Sequence, residues 1–99
     1  MKEYIYIMKL IKRLTIDGAW TKEDEVIISE HFEYLLSLKE SKRLVLAGRT
    51  QVEDSLTMGI VIIKAEDMLT AEKMMLNDPA VRKGIMTGEF APFHTALKE

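Results

Sequence analysis

Apolar residues of this chain fall into two kinds of run, some apolar at nearly every position and others apolar at helical spacing. Tyr4 to Ile11 reads YIYIMKLI, rich in β-branched and aromatic residues, and predicts a strand covered on both faces. Asp17-Gly18 then signals a turn. Thr21 places a hydroxyl three residues before Asp24, so a helix should begin just after Thr21. Beyond that cap Ile27, His31, Tyr34, Leu35 and Leu38 recur on one helical face, widened by Ile28 and Phe32, while Glu23, Glu30, Glu33 and Lys39 occupy the rest.

Leu44 to Gly48 is a short strand, Arg49 to Thr57 a polar connecting loop, and Met58 to Ile63 a further strand apolar at both parities. Glu66-Asp67 caps a second helix carrying Met68, Leu69, Ala71, Met74, Met75 and Leu76. Asn77-Asp78-Pro79 stops it, because the residue before proline disfavours helix. Val81 to Met86 adds a short helical turn. Glu89 to Ala96 closes as an irregular strand that Pro92 confines to an edge or a bulge.

The order βαββαβ predicts an α+β fold, a ferredoxin-like sandwich with two helices on one face of an antiparallel sheet. In the first strand Tyr4, Tyr6, Met8 and Leu10 point one way and Ile5, Ile7 and Ile11 the other; Ile60 and Ile62 oppose Val61 and Ile63 in the same manner. Two helices cover one face only. The second would leave a large apolar patch in water, so a homodimer with facing sheets is expected.

Ninety-nine residues suit one domain spanning 1–99, and 47% apolar with 30% charged residues is the balance of a folded protein. A formal charge of -2 gives no general attraction to nucleic acid or anionic lipid. The strand Met58 to Ile63 also lacks the aromatic, basic motif of an RNA-recognition domain. With no cysteine there is no thiolate, disulfide or Cys-based zinc site, and two histidines do not close a protein-only one. The apolar stretch Tyr4 to Met8, ended by Lys9, is too short for a signal peptide core or a membrane span; a cytoplasmic location is expected. No phosphate-binding glycine loop, HExxH, GxSxG or EF-hand loop occurs.

His31 is the candidate for chemistry, since it stands inside the apolar stripe, four residues after Ile27 and four before Leu35. A half-buried imidazole acts as general base or acid near neutral pH when a carboxylate fixes its tautomer. Asp78 is the candidate partner, because the second helix that it ends should pack beside the first. The alternatives are a core histidine bonded to a carbonyl and a turn carboxylate before Pro79. Arg13 and Arg49 lie beyond strand ends, where a guanidinium suits a substrate carboxylate, an enolate or a developing oxyanion. Trp20 reads as a hydrophobic staple on Glu25 or Val26, with pocket lining as the alternative. His94, past Pro92, is expected at the surface, and Met68, Met74 and Met75 as core packing.

His31-Phe32-Glu33-Tyr34-Leu35, Leu46-Ala47-Gly48-Arg49, Asn77-Asp78-Pro79 and Ala91-Pro92-Phe93, in that order and spacing, resemble the YCII-related (YciI-like) family over essentially the whole chain. The resemblance implies a dimeric α+β barrel and a functional pair formed by the helix histidine, His31, and the pre-proline aspartate, Asp78. It further implies lyase, isomerase or dehydrochlorinase-like chemistry on small cyclic compounds. Many relatives carry a proline where this chain has Arg49. The expected protein is a homodimeric enzyme, without metal or organic cofactor, that moves a proton on a small polar or aromatic compound. The alternative is a non-catalytic ligand-binding or dimerisation module, in which His31 would be sealed from solvent.

Overall fold

The computed structural model describes residues 1–99. Its elements are β1 (Lys2–Leu10), a 3-10 turn (Lys12–Thr15), α1 (Lys22–Glu40), β2 (Leu44–Arg49), β3 (Gly59–Ala65), α2 (Met68–Leu76), α3 (Pro79–Arg82) and β4 (Met86–Pro92). The four strands form one antiparallel sheet in the order β2-β3-β1-β4, the ferredoxin-like α+β arrangement. No helix is long and apolar enough to cross a membrane.

Local chemistry sets the helix starts. Thr21 accepts from the Asp24 amide while the Asp24 carboxylate accepts from the Thr21 amide, a reciprocal capping box that satisfies two amides the helix cannot. Asp67 caps α2 through the Thr70 amide, and Asp78 caps α3 through the Ala80 amide with Pro79 in the first helical position.

In register, Tyr4 faces Ile63, Tyr6 faces Val61 and Met8 faces Gly59, and these side chains form the helix-covered face. Tyr4, Tyr6, Met8, Val61, Ile63 and Ala65 are buried there against Leu35, Leu38, Ala71 and Met75. Leu14, Ile27, Ala80 and Ile85 make a smaller cluster where α3 and the 3-10 turn meet α1. Ile5, Ile7, Ile60 and Ile62 point to the uncovered face and keep partial exposure, with Leu46 beside them 51% exposed.

Several boundaries differ from the sequence expectation. The last strand is Met86–Pro92 rather than Glu89 to Ala96, because Met86 pairs with Leu10 and the ladder along β1 ends at Tyr4–Pro92. The short helix is Pro79–Arg82, ended by Gly84 at φ 78°, a left-handed conformation that glycine adopts without steric cost. Met68 is 52% exposed at the first position of α2, whose buried stripe runs through Ala71 and Met75 with Met74 beside it. Phe32 is 61% exposed and does not join the core stripe of α1.

Candidate active site

His31 lies in the middle of α1, which packs against α3. That contact brings the helix histidine to the carboxylate capping the neighbouring helix: His31 Nδ1 stands 2.7 Å from Asp78 Oδ1. Asp78 is fully buried. Its Oδ1 also accepts from the Ala80 amide at 3.0 Å, and its Oδ2 accepts from the Tyr6 hydroxyl at 2.8 Å. The Tyr6 hydroxyl and the Ala80 amide both donate to Asp78, which uses its oxygens as acceptors, and a carboxylate in that role is matched by a proton on His31 Nδ1. The pair thus engages Nδ1 and leaves Nε2 as the ring nitrogen outside it.

Every buried side-chain nitrogen and oxygen in the protein has a hydrogen-bond partner, and Nε2 has none, so Nε2 is accessible. The His31 side chain is 15% exposed and lines a cavity of about 430 Å³ between α1 and the end of the sheet. Leu35, Met8, Met58, Met86 and Val61 make much of the wall. Trp20 and Phe32 line the same cavity as His31. Both aromatics are substantially exposed, so apolar ring surface borders the opening.

Burial and the charge of Asp78 both act on nearby phenols. Burial first, then the Asp78 charge, push the Tyr6 hydroxyl far above its ordinary value, so it remains a donor. Tyr34, which donates to the Met74 carbonyl at 2.7 Å, is pushed up to about 12 by burial and then by the Asp78 charge. Tyr6 had no sequence signal beyond its place in an apolar strand. Alternation marks it as core, and its polar end acquires a purpose only through Asp78.

The two arginines differ. Arg49, at the end of β2, lines the cavity. Arg13 does not line it; both terminal nitrogens bind Asp24 at 2.9 Å, and Nη1 also donates to the Ala19 carbonyl. Asp24 thus completes the capping box and holds Arg13 at once, and its carboxyl is kept well below the usual range, first by Arg13 and then by the Thr21 amide. Trp20 lines the cavity, as the alternative reading of this residue had it. His94 is exposed, away from His31.

Compared with known proteins, the chain matches the family model described as the YCII-related domain over residues 5–89. No curated protein matches it by sequence. Among solved structures it is similar to 5-chloro-2-hydroxyhydroquinone dehydrochlorinase (TftG) from Burkholderia phenoliruptrix AC1100, in complex with 2,5-dihydroxybenzoquinone. That similarity has a TM-score of 0.70 and 16% sequence identity over 95% of each chain. At this identity the likeness is one of fold.

Proposed function

The chain belongs to the YCII-related family, and on that premise we propose that it is an enzyme in which His31, oriented by Asp78, transfers a proton on a small cyclic compound bound in the cavity. The observation that carries this reading is the contact of His31 Nδ1 with Asp78 together with an accessible Nε2 in a cavity wall. Asp78 stabilises the imidazole as it gains charge, and the apolar wall limits competition from water. In an isomerisation Nε2 takes a proton from one atom of the ring and returns it to another. In an elimination the electron pair left by that proton forms a new double bond and expels a leaving group such as chloride. The dehydrochlorinase activity of a structurally similar protein supports the second form. The binding-module reading called for a sealed His31, and the exposure of this side chain beside a cavity favours catalysis.

The uncovered sheet face supports a homodimer. Four isoleucines from the two central strands share it, with Leu46 at the side, and a second copy offers the same apolar surface in return.

The test is proton exchange in deuterated water. Loss of ring C–H signals from 2,5-dihydroxybenzoquinone and related enolic rings is followed by NMR with wild-type protein and with His31→Gln and Asp78→Asn. Exchange that the wild type accelerates, and that falls about 100-fold or more in His31→Gln, is expected. Equal rates with wild type and His31→Gln would overturn the proposal.

A further inference from the structure

Resting on the reading of the cavity as a substrate site, we infer that its substrate is an unsaturated ring compound carrying one anionic oxygen group, and that Arg49 is the residue that selects it. The polar side chains that line the cavity divide into bonded and free ones. The Thr50 hydroxyl donates to the Leu56 carbonyl at 2.8 Å and accepts from the Met58 amide at 2.9 Å. Thr57 donates to the Val52 carbonyl and accepts from the Asp54 amide at 3.0 Å. Both threonines therefore hold the β2–β3 loop together. What remains free is the Arg49 guanidinium, the Trp20 indole N–H and His31 Nε2.

No aspartate or glutamate lines the cavity. Arg13, Arg43 and Lys83 are each neutralised by a carboxylate elsewhere, at 2.9, 2.7 and 2.8 Å, whereas Arg49 has neither an ion pair nor a side-chain hydrogen bond. Its position is also specified by the sheet. Arg49 pairs with Gly59, and two residues back Ala47 pairs with Val61, so alternation puts Arg49 on the helix-covered face. Across from it Gly59 presents no side chain, which keeps the space beside Met8 open.

Arg49 is an exposed residue, so water screens its charge, and what it offers a ligand at the cavity wall is a lone fork of donors that matches a carboxylate or the oxygens of an ionised enol. One such cation and no anion match one negative charge. The side chains offer donors only, apart from Nε2, so the ligand must bring acceptors and expose its transferable hydrogen to Nε2. Trp20 and Phe32, with the thioethers of Met8, Met58 and Met86, suit the faces and edges of a planar ring.

Trp20 is the one tryptophan of the chain, so its fluorescence reports occupancy of the cavity. Benzoate and its neutral counterpart benzamide are titrated against wild-type protein, Arg49→Gln and His31→Gln, with circular dichroism confirming that each variant is folded. Benzoate is expected to bind at least about tenfold more tightly than benzamide, with added salt narrowing the gap. Arg49→Gln is expected to abolish the preference, and His31→Gln to retain it, because benzoate has no proton to give to Nε2. Equal binding of the two probes, binding of neither, or a preference that survives in Arg49→Gln would overturn the inference. Proton transfer by His31 is judged separately, by isotope exchange, so either idea can fail alone.

Discussion

Tyr6 and Asp78 stand 72 positions apart in sequence and 2.8 Å apart in the folded chain, the phenol of a central strand donating to the carboxylate that caps a short helix. This contact holds the second oxygen of Asp78 and leaves the first for His31 and the Ala80 amide. Removing the donor in Tyr6→Phe strands a buried carboxylate oxygen. A loss of about 1–3 kcal/mol in denaturant unfolding is expected. A loss within error of zero would mean that Oδ2 finds another partner.

Asp78→Asn and Asp78→Ala should separate charge from shape. The Asn oxygen keeps the place of Oδ1, and the Tyr6 hydroxyl can turn to accept from the amide, so the fold survives with a small loss. Asp78→Ala removes the acceptor for three donors and is expected to cost more, about 3 kcal/mol or above. Nitrogen NMR of His31 provides the second readout: the Nδ1–H form is expected in wild type and in Asp78→Asn, and a mixture of tautomers in Asp78→Ala.

Acid should loosen the approach to the cavity through Asp24. Its folded value lies below the ordinary 3.8, so the stability that it contributes is complete above that value and drains away as pH falls below it toward the folded one. Glu66 and Asp67 are lowered as well, through Arg43 and the Thr70 amide, so the Asp24 share must be isolated by difference. Unfolding of wild type and of Asp24→Asn is compared between pH 5 and pH 2. A shallower acid loss is expected in the variant. Because Arg13 holds both Asp24 and the Ala19 carbonyl, Trp20 emission should change in Asp24→Asn at neutral pH.

Alkali should separate Tyr34 from Tyr6. Tyr34 is raised to about 12, so the stability tied to its neutral form is complete below the ordinary value of 10 and lost as pH rises toward 12. Ultraviolet titration is expected to show Tyr34 ionising near 12, with Tyr6 silent until the protein unfolds. In Asp78→Asn the Tyr34 midpoint should move down, because one of the two causes of its rise has been removed.

The uncovered sheet face gives a prediction on assembly. Ile7→Glu or Ile62→Lys places a charge in the middle of the four-isoleucine surface while leaving the buried face intact. Light scattering coupled to gel filtration is expected to show a dimer for the wild type and a monomer for either variant. A wild-type monomer at micromolar concentration would refute the facing-sheet arrangement.

The chain's own order of residues determined everything that depends on neighbours within about one helical turn or one strand pleat. The Thr21–Asp24 box, the Asp67 cap, the glycine turns and the two-faced strands are local, and the βαββαβ order follows from them. The preference of His31 for a helix face and of Asp78 for a pre-proline cap is equally local, and both residues were legible as candidates. Their pairing was expected from packing of the second helix beside the first, whereas the contact itself is made by α3 docking against α1, which spacing along the chain does not record. Likewise Tyr6 reached Asp78, Arg13 went to Asp24 and away from the cavity, and Trp20 and Phe32 came to flank its opening. Each of these follows from how strand order and helix packing place residues that are far apart in sequence, and side-chain spacing along one element carries no record of that placement.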